Sequence, residues 1–280
     1  MKDVKLILAT NTSYGIPAEQ QIELFHKTGF DGFFTDFKCD TDNALYRKKA
    51  NELGMIYQSI HAPFTKMKGI WHGTDEEADE CIDGLIRCVE ACAENDVPLM
   101  VAHAYIGFHN HEPNERGVEY FSKVVKRAGE LGVKIAIENT EGEEYLACLM
   151  DAFRNERHVG FCWDTGHEMC YNSSKDMMAL YGNRIFGTHI NDNLGIRDYN
   201  GQITYIDDLH LLPFDGIGNW EDIASRLKKY SFTDTLTFEL TRANKPDRHE
   251  HDINASMPIE SFIAQCFVRA CRVGALVTLK

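Results

Sequence analysis

Val159-Gly160-Phe161-Cys162-Trp163-Asp164-Thr165-Gly166-His167 is the stretch on which the reading of this chain turns. It opens as a short apolar run of strand type and becomes polar at Asp164 and His167. An acid and an imidazole three residues apart, just past a buried strand, can face a single metal ion. Taken alone, an Asp at a strand end is more often a turn former or a helix N-cap. The metal reading gains weight because the same event recurs along the chain.

Outward from this stretch, apolar β-like runs alternate with helical patterns. Strands are expected at 4–9, 32–37, 55–60, 99–102, 133–137, 159–163, 184–188 and 235–238. Helices are expected at 17–28, 42–53, 75–94, 114–131, 143–155, 174–181, 220–229 and 258–276, several closed by a glycine such as Gly29, Gly54 or Gly132. Eight strands, each followed by a helix or a long loop, give the count of a single (β/α)8 TIM barrel spanning 1–280 as one domain. An open, doubly wound sheet is the alternative. No Gly-x-Gly-x-x-Gly follows the first strand, which lowers it. Residues 191–219 form a long βα loop, and loops of that length in compact domains are usually functional.

In such a barrel the active site lies at the carboxyl ends of the strands. Strands three to eight end in His61, His103, Glu138, Asp164, His189 and Glu239, with His167 just beyond the sixth and Asp208 and His210 in the long loop. Each has a bland reading by itself. Six in succession is hard to obtain by chance, because crowded carboxylates are costly unless a cation or proton offsets them. A bound divalent metal is therefore expected. Mixed His and carboxylate donors favour Zn²⁺ or Mn²⁺, with Co²⁺ or Mg²⁺ also admissible, over an iron–sulfur cluster. His26, His72, His158, His249 and His251 lack strand-end context. His109 and His111 sit in the loop after the fourth strand, where surface roles are the simpler reading.

Composition bounds the function. The 280 residues carry a formal net charge of −14, which argues against non-specific binding to nucleic acid or anionic membranes. No run approaches the ~18 apolar residues of a membrane span. The N-terminus shows no signal-peptide cleavage pattern, so a cytoplasmic protein is expected. Nine scattered cysteines read as reduced thiols. Cys88 and Cys92, one helical turn apart, read as core residues rather than a metal clasp. Phe214-Asp215-Gly216-Ile217-Gly218-Asn219-Trp220 reads as a tight turn with Asn219 as an N-cap. Its backbone amides could alternatively cradle a phosphate or sugar hydroxyl.

His61-Ala62-Pro63, Glu138-Asn139, Trp163-Asp164-Thr165-Gly166-His167, Thr188-His189-Ile190-Asn191-Asp192, Asp208-Leu209-His210 and Thr237-Phe238-Glu239-Leu240, as an ordered set, resemble the xylose-isomerase-like barrel superfamily. That group holds sugar phosphate isomerases and epimerases together with the endonuclease IV type of abasic-site nuclease. The resemblance covers nearly the whole chain. It implies that Glu138, Asp164, His189 and Glu239 hold one metal, and that Glu138 and Glu239 also act as the acid/base pair. It further implies that His167 contacts substrate. By resemblance to the nuclease, His61, His103, His167, Asp208 and His210 correspond to ligands of further metals. Substrate contacts are expected from His61, His103, His167 and His210. The epimerases place a substrate-binding Arg shortly after the metal His, and Arg197 is the nearest candidate here.

The resulting expectation is a metal-dependent isomerase or epimerase of a small sugar or sugar phosphate, using the glutamate pair and a divalent metal to form an enediolate. One alternative is endonuclease IV-like cleavage of abasic DNA, against which the acidic balance weighs. Another is a barrel that binds sugar without turnover. No membrane partner is expected, and homo-oligomerisation is left open.

Overall fold

The computed structural model describes residues 4–38, 40–109, 111–197, 201–233 and 235–279. Eight strands run in chain order: β1 (Lys5–Ala9), β2 (Gly32–Asp36), β3 (Ile56–His61), β4 (Leu99–His103), β5 (Lys134–Glu138), β6 (Val159–Asp164), β7 (Ile185–His189) and β8 (Thr235–Phe238). They form one parallel sheet in the order β7-β6-β5-β4-β3-β2-β1-β8. The seam between β7 and β8 is closed just past the end of β7. There the Ile190 amide donates to the Thr237 carbonyl (2.7 Å) and the Glu239 amide donates to Ile190 (3.2 Å). The architecture is a (β/α)8 barrel.

Side chains alternate across a strand, so residues two apart share a face. His103, Val101 and Leu99 therefore point the same way, as do Glu138 and Ala136. Leu99, Val101, Ala136 and Cys162 form one inner cluster, and Ile7, Ala9 and Phe34 another. The intervening residues, such as Met100, Ile135 and Ile137, join the larger core between the strands and the surrounding helices. This layering plugs the barrel with apolar side chains below and leaves its polar strand ends above. The register sets those ends level: Asp36 pairs with His61, His103 with Glu138, and Asp164 with His189.

The helices follow the same logic. Asp75–Glu94 starts on a capping box, in which Thr74 and Glu77 satisfy each other's backbone amides. Cys88 and Cys92 lie fully buried on its inner stripe, where burial pushes the Cys88 thiol well up. Ile259–Thr278 is long and apolar enough to cross a membrane. It buries Phe262, Ile263, Cys266, Ala270 and Val273, while Arg269 pairs with Asp215 (2.8 Å). Its apolar stripe thus packs on the barrel.

Three short helices depart from the sequence reading: Lys68–His72, Thr165–Cys170 and Asp252–Ser256. Each is too brief to show a helical period. The helix expected at 174–181 is confined to Met177–Tyr181, and that expected at 143–155 to Glu143–Ala152.

Candidate metal centre

Asp164 has both roles that its position suggested. As the last residue of β6 it caps the helix Thr165–Cys170, its Oδ1 accepting the His167 amide at 2.7 Å. The short helical turn brings the His167 ring back over the strand ends. Asn191 then donates to both Asp164 oxygens (3.2 and 3.0 Å), and Asn139 exchanges hydrogen bonds with the Asp164 backbone (2.8 and 2.9 Å).

Around Asp164 the nine candidate donors fall into three adjoining groups: Glu138, Asp164, His189 and Glu239; His61, His103 and Glu138; and His167, Asp208 and His210. Within each group the potential ligand atoms lie within 4.8 Å of one another. Glu138 belongs to two groups. Its Oε1 faces His189 Nδ1 (3.1 Å) and His167 Nδ1 (3.3 Å), and its Oε2 faces His61 Nε2 (3.3 Å) and His103 Nε2 (3.4 Å). His189 Nδ1 also stands 3.0 Å from Glu239 Oε2. The five donors beyond the first group, which the resemblance matches to ligands of further metals, lie in two groups: His61 and His103 reach Glu138, while His167, Asp208 and His210 converge with one another.

Two observations indicate that these residues fit metal. First, three imidazoles have their tautomer fixed by a carbonyl that can only accept: His61 Nδ1 donates to Ala62, His167 Nδ1 to Asn139, and His210 Nδ1 to Glu239 (2.9, 3.1 and 3.1 Å). Each is left with Nε2 as the basic nitrogen, the arrangement typical of metal-ligating histidines. Second, buried polar atoms that make no well-aligned hydrogen bond concentrate here: His103 Nδ1 and His189 Nε2 have none, and Glu138 Oε1, His189 Nδ1 and Asp208 Oδ1 have only the ion-pair contacts among the donors themselves. Such atoms are costly to bury unpaired.

The electrostatics agree. Burial alone would push the imidazoles down and the carboxyls up. Mutual attraction wins at His61, His167, His189 and His210, held above the usual imidazole range, and at Glu138, Asp208 and Glu239, held below the carboxylate range. Burial wins at Asp164, which is raised, and at His103, which is lowered. Three carboxylates and four imidazoles thus hold their charges against one another through protons. A divalent ion would take the place of those protons.

Above the donors is a cavity of about 260 Å³. His61, His103, Glu138, His167, Asp208, His210 and Glu239 reach its wall, which is completed by aromatic side chains including Phe64, Phe108, Tyr171 and Tyr205. Asp36, Glu141 and Lys245 also line it. Lys245 Nζ lies 3.5 Å from Asp208 Oδ2. The sequence reading missed these three. Asp36 carried a usable signal, since it ends β2 as the other donors end theirs.

Arg197 is not among the cavity-lining residues. Its guanidinium donates to the Asp247 carbonyl (3.1 Å) and is exposed, because its own amide is tied to buried Asp207 (3.0 Å). The glycine-rich turn does not cradle a phosphate either. Buried Asp192 already accepts from the Phe214 and Gly218 amides (both 2.9 Å) and from Trp220 Nε1 (3.1 Å), while Asn219 caps the next helix. His251, read from sequence as lacking context, is buried and donates to the Leu209 carbonyl (2.8 Å), between Asp208 and His210.

The donors stand together at the strand ends of a (β/α)8 barrel, and comparison with known proteins identifies the barrel's family. Residues 22–258 match the model of the xylose isomerase-like TIM barrel family, to which the chain belongs. The "Probable endonuclease 4" of Cenarchaeum symbiosum is 30% identical over 122 residues, covering 40% of this chain and 42% of that protein. The chain spans about two fifths of the length of the curated relatives it matches. Among solved structures, D-psicose 3-epimerase from Clostridium cellulolyticum H10 with D-tagatose aligns with TM-score 0.73 at 13% identity, over 99% of this chain and 100% of that one. IOLI protein with a zinc atom aligns with TM-score 0.74 at 19% identity, over 97% and 98%. These likenesses are of fold. Sugar epimerases are among these structural neighbours.

Proposed function

We propose that the protein is a metal-dependent isomerase or epimerase of a small polyhydroxylated substrate, a sugar or sugar phosphate. The observation that carries this reading is that Glu138 and Glu239 flank the same imidazole, His189, and open into the same small cavity. Glu138, Asp164, His189 and Glu239 would hold the first ion. When bound, it would supply positive charge against negative charge developing on substrate oxygens.

The chain's own residues divide the remaining work. The Glu239 side chain is 24% exposed against 1% for Glu138, so Glu239 is the better placed to take a proton from a bound carbon acid. Glu138, encircled by four imidazoles, is the better electrostatic anchor and the partner for returning a proton from the opposite side. His167, with Nδ1 fixed on a carbonyl, presents Nε2 toward Asp208 and the cavity. The aromatic wall limits water and orients a ring face.

The test is solvent-deuterium incorporation into candidate ketoses and aldoses by the Mn²⁺-loaded protein. Exchange at a carbon beside the carbonyl is expected. Its absence across the panel, with metal bound, would overturn the reading.

A second reading, endonuclease IV-like phosphodiester cleavage, is favoured by one specific observation. Two further donor groups adjoin the first, one of them sharing Glu138 with it, and multi-ion clusters suit phosphoryl chemistry. Nicking of abasic duplex DNA, abolished by chelation, would establish it in place of the first.

A further inference from the structure

The donor groups carry unlike charge. The first sets three carboxylates, Glu138, Asp164 and Glu239, against one imidazole. The group of His167, Asp208 and His210 sets one carboxylate against two imidazoles, and an ammonium stands beside it. Lys245 Nζ lies 3.5 Å from Asp208 Oδ2, whereas among the described residues no Lys or Arg pairs with Glu138, Asp164 or Glu239. Lys245 is also the single lysine or arginine among the described residues that line the central cavity.

The backbone that presents Lys245 is fixed. Pro246 and Asp247, the latter in the left-handed region (φ +56°), make a tight turn that the Arg248 amide closes on the Lys245 carbonyl (3.1 Å). This turn is clamped to the long loop on both sides of Asp208. Buried Arg248 reaches Asp207 Oδ1 (3.7 Å), and the His251 ring donates to the Leu209 carbonyl (2.8 Å). Arg197 adds its hydrogen bond to the Asp247 carbonyl (3.1 Å). Ammonium and carboxylate thus ride on loops that are held to each other.

A lysine and a divalent ion compete for one carboxylate. An ion in this group would have Asp208 as its single anionic ligand, and it would stand a few ångströms from a full positive charge. The first group has three carboxylates and no such competitor.

We infer that Lys245 is the resident counter-cation of Asp208, and that the group of His167, Asp208 and His210 therefore takes a divalent ion only weakly. His167 and His210 are then left to hydrogen-bond a substrate. This rests on the metal-dependent isomerase/epimerase reading and deepens it, since the multi-ion occupancy that the nuclease reading calls for is disfavoured.

Titration of the metal-free protein with Co²⁺ tests it, followed by calorimetry and by the visible absorption of the bound ion. The step that depends on this group is the one lost in His210→Ala or Asp208→Asn. In the wild type it should be about tenfold or more weaker than the first ion, or below detection. Lys245→Met keeps the stem and removes the charge, and should tighten that step by roughly tenfold while leaving the first ion unchanged. Lys245→Arg keeps the charge and should behave as the wild type. A wild-type step as tight as the first ion overturns the inference while the metal centre stands. So does a Lys245→Met protein with no gain at that step, or a Lys245→Arg protein that gains equally. If the folded protein takes up no Co²⁺ at all, the metal reading and the role of Lys245 fall together.

Discussion

Asp164 shows how one side chain can cap a helix and still serve a site. One oxygen takes the His167 amide, and Asn191 steadies both, so the carboxylate is oriented before any ion arrives. Asn191→Ala should weaken metal binding by roughly 10–100-fold, the usual cost of removing a group that orients a ligand. Competition against a chromophoric chelator measures this, and unchanged affinity would show that Asn191 does not orient the carboxylate. Gly166 lies under the same amide: a Cβ there would come 1.8 Å from Asn191 Oδ1. Gly166→Ala should therefore cost about 1–3 kcal/mol in urea unfolding as well as metal affinity. At this scale the sequence was readable where strand ends alternate into donors. It was not readable for Arg197, because sequence distance from His189 does not reveal that Asp207 and Asp247 hold that loop elsewhere. Arg197→Ala is expected to leave turnover essentially unchanged in steady-state assays, and a large loss of kcat/KM would return it to the site.

The long loop of residues 191–219 is the element that most exceeds the sequence reading. Its ends fold back on each other through the Asp192–Leu211 bridge, and Asp192 gathers amides and an indole N–H from the glycine-rich turn. A buried carboxylate satisfied by several donors is costly to delete, since each donor is then left unpaired. Asp192→Ala should lose about 3 kcal/mol or more of stability by urea denaturation. Near-wild-type stability would mean the turn is held by something else. The turn's glycines and Asn219 were legible as a turn and cap. That the anion in the cradle is the protein's own Asp192, rather than a phosphate, depends on a contact 22–26 residues away, which no local pattern encodes. The short helices went unread for a related reason: five or six residues carry too little periodicity.

The whole molecule carries a formal net charge of −14 and concentrates four carboxylates at one end of the barrel. Ions bound only by the folded state stabilise it by mass action, so chelation should lower Tm, and added Zn²⁺ or Mn²⁺ should restore it in a concentration-dependent way. Differential scanning fluorimetry checks this, and a Tm indifferent to chelator would count against resident metal. The barrel itself was legible because strand runs, helix stops and donor-ended strands agree with one another, whereas the partition of nine donors into three groups needed the register of neighbouring strands.

The central claim is that the strand ends build a metal centre, and elemental analysis of protein purified without chelator tests it most directly. At least one divalent ion per chain is predicted, with further ions on soaking as the two additional groups fill, and loss of the first in Asp164→Ala or His189→Ala. A folded protein that takes up no metal near neutral pH, even after soaking in Zn²⁺ and Mn²⁺, would contradict the account.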